Sequence, residues 1–80
     1  MKIATRDGRV FQGTTMQIVQ AMRAIAFSAD DFSIDQYIDW VIVNTRQLDG
    51  VELVVHGSTE KERTEALVDA MIRSGLVRRL

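Results

Sequence analysis

The sequence predicts an α+β domain in the order ββααβα, with a short C-terminal strand also allowed and the helices packed on one face of a small sheet. Three observations carry this. An Asp7-Gly8 pair sits between two short runs that suit strands, and three separate positions carry the Ser/Thr-x-x-Glu/Gln signature of a helix start. Residues 51–56 switch from the helical period to strict alternation.

The opening element is a hairpin. Lys2 to Thr5 and Arg9 to Gln12 flank Asp7-Gly8, a dipeptide suited to the positive φ values of a two-residue type I′ turn. Gly13 closes the second strand, and Thr14 with Gln17 forms a capping box that starts a helix running to about Ser28. Its inward face is Ile18, Val19, Met22, Ile25 and Ala26.

A polar connection, Ala29-Asp30-Asp31-Phe32, leads to a second capping box of Ser33 and Gln36, with Phe32 placed to staple against Tyr37. The second helix is expected to run to Gln47 or Leu48 and to stop near Gly50, a residue that accepts the left-handed conformation beyond a helix end. Residues 51–56 read as a strand, with Val51, Leu53 and Val55 on one face and Glu52, Val54 and His56 on the other. Thr59 and Glu62 start a third helix whose stripe is Leu67, Val68, Met71 and Ile72. Gly75 ends it, and residues 76–80 suit a last strand, expected parallel to 51–56 because strand, helix, strand successions favour that crossover.

Composition bounds the function. The 80 residues make one domain, 1–80, with a modest core, and the absence of cysteine removes both disulfides and cysteine-ligated zinc as supplements to it. Ten basic and eleven acidic side chains give a net charge of −1, so no global field steers the chain toward nucleic acid or anionic lipid. The apolar runs are short, which predicts neither a signal peptide nor a membrane span and leads to a cytoplasmic expectation.

The most informative stretch is the second helix. Ile34, Tyr37, Ile38, Val41, Ile42 and Leu48 cover a broad core-facing arc, Trp40 extends it on one flank, and Val43 lies beyond it. Only Asp35, Asp39 and Arg46 form a strongly polar sector, so roughly 200° of the helix avoids water, against about 100° for an ordinary surface helix. A central position in the fold absorbs much of this excess. The remainder marks Trp40 and Val43, with Met16 and Phe27 on the weakly charged outer side of the first helix, as a partner interface. Burying one Trp and one Val contributes on the order of 3 to 5 kcal/mol before association costs. The expected protein is a non-enzymatic interaction module, a homodimer foremost or a subunit of a larger assembly, with no cofactor.

The alternative is a nucleic-acid-binding or regulatory protein. Pairing across a two-residue turn sets Arg6 opposite Arg9 and gathers Lys2, Arg6, Arg9 and Phe11 on one hairpin face, where a phosphate relieves repulsion and Phe11 stacks a base. Arg78 and Arg79 add to that face if the last strand lies beside it.

Other chemistry is weaker. His56-Gly57-Ser58-Thr59 precedes a helix start, yet it lacks phosphate-loop spacing and Glu60 and Glu62 already meet the positive helix end. His56 and Ser58 have no third member for nucleophilic catalysis. Asp30, Asp31, Asp35 and Asp39 cluster without EF-hand spacing, and no metal site is expected. The acidic second helix is also a poor recognition helix for DNA.

Overall fold

Two hydrogen-bonding systems organise the chain: a three-stranded antiparallel sheet with the first strand in the middle, and three capped helices packed together on one face of it. The computed structural model describes residues 1–26, 29 and 31–80. Strands β1 (Lys2–Thr5) and β2 (Val10–Gln12) form the hairpin; helices α1 (Thr15–Ile25), α2 (Ile34–Asp49) and α3 (Glu60–Arg73) follow, and β3 (Val77–Arg79) closes the chain.

All three capping boxes form as the spacing requires. The Thr14, Ser33 and Thr59 side chains each accept from the backbone N–H three residues on, and Gln17, Gln36 and Glu62 reach back to the cap amides. Gly50 takes φ 65° and ψ 21° where α2 ends, a left-handed conformation with little cost for glycine alone.

The hairpin turn is longer than expected. Thr5 N–H donates to the Arg9 carbonyl and Gly8 N–H donates to the Thr5 carbonyl, so Arg6-Asp7-Gly8 is a three-residue loop with Gly8 at φ 90°. Asp7 decides this: its carboxylate accepts from the Thr5 hydroxyl and pairs with Arg9, which stabilises the tighter first turn at residues 5–8. The extra loop residue moves the register. Thr5, not Arg6, stands opposite Arg9, and Ile3 pairs with Phe11 while Lys2 pairs with Gln12.

The strand expected at residues 51–56 does not join the sheet. Its side chains keep a two-residue alternation, with Leu53 buried and Glu52, Val54 and His56 exposed, but no ladder forms there among the described residues. The last strand exists and runs antiparallel to β1, with Ile3 opposite Arg79 and Thr5 opposite Val77, instead of parallel to 51–56. β1 has its second edge open, and antiparallel pairing is slightly the stronger per residue.

The core contains Ile3, Ile18, Val19, Ile34, Tyr37, Ile38, Val41, Leu53, Leu67, Val68, Met71 and Val77, with Ala29 also fully buried. Several inward assignments change. Ile25 and Leu48 are exposed because each lies at a helix end beyond the core; Ala29, assigned to a polar connection, is inside; and Thr45 and Thr64 fill buried positions on α2 and α3. The Thr64 hydroxyl donates to the Lys61 carbonyl, which removes the cost of burying it.

Candidate functional site: a groove on the second helix

Residues spaced by four along α2 lie one above another. Gln36, Trp40 and Asn44 form such a stripe; with Phe32, which precedes the Ser33 cap, and with Asp39 and Val43 they line an open depression of about 400 Å³. Its floor is apolar, made by Phe32, Trp40 and Val43; Val43 is 44% exposed while Trp40 is half-buried.

The groove is held from behind. The Trp40 ring stacks on Tyr37 with centroids 5.7 Å apart and planes 22° off parallel, and Tyr37 is itself buried in the core. On the rim, Asn44 Nδ2 donates to the Trp40 carbonyl at 2.8 Å, and Asp39 Oδ1 accepts from Arg63 Nη2 at 2.8 Å. Both rim groups are thus already engaged within the chain. An apolar surface whose walls are fixed loses little further freedom when it is covered.

Of the four residues marked in the sequence as an interface, Trp40 and Val43 meet in this groove. Met16 is half-buried against the core and does not line it, and Phe27 lies outside the described residues. Phe32 and Asn44 were not anticipated here. The four-residue spacing 32, 36, 40, 44 is the signal in the sequence, while the staple pattern directs Phe32 toward Tyr37 instead.

The basic hairpin set is divided by the register. Strand alternation places Lys2 with Ala4, Val10, Gln12 and Arg78 on the outer sheet face, whereas Phe11 stands opposite core-facing Ile3. Arg9 and Phe11 line a separate depression of about 220 Å³ with Asp7, Met22 and Tyr37, and Arg9 Nε lies 3.3 Å from Asp7 Oδ2. Arg6 Nε donates to the Gly75 carbonyl at 3.2 Å, next to Arg78 along a second depression of about 330 Å³ that includes Val10 and Leu80. Phe11 is therefore not on the face that carries Lys2 and Arg78, and among the described residues no aromatic stands there to stack a base.

The remaining candidates resolve into local structure. Asp35 and Asp39 are both held by Arg63, at 2.7 and 2.8 Å, and among the described residues no cluster of three acidic or histidine side chains could hold a metal ion. Glu62 Oε1 accepts from the amides of Ser58 and Thr59 and from both hydroxyls, so the chain's own carboxylate fills the anion seat at the start of α3. Those bonds, led by the Ser58 amide, lower the Glu62 pKa. The Ser58 hydroxyl points its proton at Glu62, not at His56.

His56 lies elsewhere, in a depression of about 390 Å³ between Glu52, Val54 and His56 on one side and Ala66, Asp69, Ala70, Arg73 and Ser74 on the other. Comparison with protein-family models, curated proteins and solved structures finds no match to this chain. No described helix is long and apolar enough to cross a membrane.

Proposed function

We propose that the protein is a non-enzymatic interaction module that receives an apolar segment of a protein partner in the Phe32-Trp40-Val43 groove of α2. The observation that carries this reading is the combination of an exposed apolar floor with a rim on which Asn44 and Asp39 are each held by a hydrogen bond inside the chain. Such a surface gains from covering and keeps the internal hydrogen bonds of Asn44 Nδ2 and Asp39 Oδ1 in the process. Enzymatic chemistry has less support, because His56 and Ser58 do not converge and Asp35 and Asp39 of α2 are both paired with Arg63.

Site-specific photocrosslinking in cells tests the proposal. A crosslinking amino acid at Val43 is expected to trap a discrete protein, and Val43→Asp in a chain that carries the crosslinker at Gln36 is expected to abolish the product. Leu48 supplies the control, since it is 80% exposed yet lies outside the groove. Equal labelling from positions 43 and 48, or products indifferent to Val43→Asp, would overturn the reading.

A second reading, phosphate or nucleic-acid binding, is favoured by one observation: β3 brings Arg78 opposite Ala4, on the face that carries Lys2 and near Arg6, around exposed Val10 and Leu80. Among the described residues no Asp or Glu side chain lines that depression. A salt titration with single- and double-stranded oligonucleotides decides it, for phosphate contacts made by these cations must weaken as salt rises.

A further inference from the structure

Residues 52–56, Glu-Leu-Val-Val-His, have a strand's composition, a strand's alternation of burial and no strand partner. The run is bounded on both sides: Val51 N–H donates to the Thr45 carbonyl, and Ser58 N–H donates to Glu62. Between those limits, none of the backbone groups of residues 52–57 has a hydrogen-bond partner among the described residues. Peptide groups without an internal partner must reach water or another chain, and a β-rich run with an open edge is a template for strand addition.

The sequence of the run restricts what can be added. In an antiparallel pair, directly opposite residues share a face. For two copies of this run related by a two-fold axis, only a few registers keep Leu53 and Val55 together on the inner face. Centring on Glu52 or on His56 sets identical polar side chains against each other. Centring on Leu53 sets Glu52 against Val54, and centring on Val55 sets His56 against Val54. Centring on Val54 sets Glu52 opposite His56 twice, Val54 against Val54, and Leu53 against Val55. Every pair is then complementary.

We infer that residues 52–56 are a self-association edge, pairing antiparallel with the same residues of a second copy about a two-fold axis at Val54. The surroundings permit it. Glu52 is engaged by Arg46, with Nε to Oε2 at 2.8 Å and Nη2 to Oε1 at 3.0 Å, yet a carboxylate has lone pairs left for an imidazole N–H. From α3, Asp69 and Arg73 border the same depression; Arg73 Nε is 3.0 Å from Asp69 Oδ2, so this pair is internally neutral beside His56. Val54 is 60% exposed and free to meet its copy. The contact is separate from the α2 groove, and together they make the protein a two-fold dimer that presents two partner sites.

Charge exchange tests the register. Sedimentation equilibrium of the full chain at about 0.1 mM is expected to show dimer for the native protein. Glu52→Lys alone and His56→Glu alone are each expected to weaken self-association by about tenfold or more, because the first removes the carboxylate that accepts from the imidazole and the second sets carboxylates opposite each other. An equimolar mixture of the two variants is expected to dimerise, as is the double variant carrying both changes, since lysine then faces glutamate. Val54→Pro removes one backbone donor and is expected to leave a folded monomer by circular dichroism. A native chain that stays monomeric, or a dimer indifferent to the charge exchanges, overturns the inference. Val43→Asp separates the two surfaces: loss of the dimer through that change alone would place the contact on α2 instead.

Discussion

Arg63 on α3 and Asp39 on α2 form an interhelical ion pair, Nη2 to Oδ1 at 2.8 Å, and the same guanidinium reaches Asp35 Oδ1 through Nη1 at 2.7 Å. One cation thus spans two carboxylates that lie a helical turn apart. The arrangement offsets part of their mutual repulsion, ties α3 to α2, and fixes one rim of the Trp40 groove.

A double-mutant cycle of Arg63→Gln and Asp39→Asn, followed by urea denaturation, is expected to give a coupling of about 0.5 to 1 kcal/mol. It should shrink as salt is raised, because the Asp39 end is exposed to screening. Arg63→Gln alone should lower stability more than Asp39→Asn, as it leaves both carboxylates without their cation.

The same helix supplies a packing contrast. Ile38 is fully buried and Leu48 is 80% exposed, although both lie on the apolar arc of α2. Ile38→Ala is expected to cost about 3 kcal/mol by loss of transfer free energy and creation of a cavity. Leu48→Lys should stay within about 0.5 kcal/mol of the native chain. Urea midpoints measure both, and a large loss at Leu48 would mean that something covers it.

Tyr37 ties the groove to pH. Burial raises its pKa from 10.0 to about 12, since the tyrosinate would lose its hydration. The unfolded chain therefore releases this proton before the folded one does. Tyr37 imposes no penalty below pH 10.0, and stability falls as pH rises from there toward about 12. Ultraviolet absorbance of tyrosinate, followed with Trp40 fluorescence through the same titration, should report ionisation together with loss of the stack. Tyr37→Phe should flatten that limb of the stability curve.

Glu62 acts at the opposite end of the pH scale. Its folded pKa lies below the ordinary glutamate value of 4.5 because the Ser58 amide, the Ser58 hydroxyl and the Thr59 groups bond its charged form. The stabilisation is present above 4.5 and is lost as pH falls through the folded-state value. Glu62→Gln should flatten the acid limb of stability below about pH 4.5, measured by thermal denaturation across that range. An unchanged acid limb would show that the carboxylate is not held in this way.

Much of the local structure is legible in the sequence because its causes are local. Ser33 with Gln36, Thr14 with Gln17 and Thr59 with Glu62 each need only residues within one turn, and all three helix starts appear where those pairs fall. The same holds for Gly50 at the end of α2. The hairpin is a partial success: its location follows from Gly8, but Asp7 bonding to Thr5 and Arg9 selects a longer loop, and one added residue separates Phe11 from Lys2. A choice between turns that differ by single side-chain bonds is too fine for composition to decide. Leu48 and Ala29 show a further limit. Their burial depends on where the helix end and the connection meet the remaining layers, which spacing along one element does not contain.

By itself, the sequence determined an α+β chain with three sharply started helices, a hairpin at its front, and an α2 whose apolar surface exceeds what an ordinary surface helix carries. The tertiary structure decided which strands meet and which apolar side chains remain uncovered. β3 takes the free edge of β1, residues 52–56 are left without a ladder partner, and Trp40 and Val43 come together with Phe32 in a groove. The physical reason is one of range. Caps and turns are satisfied by groups a few residues away, whereas a strand edge or a helix flank is satisfied by whatever the whole chain brings beside it.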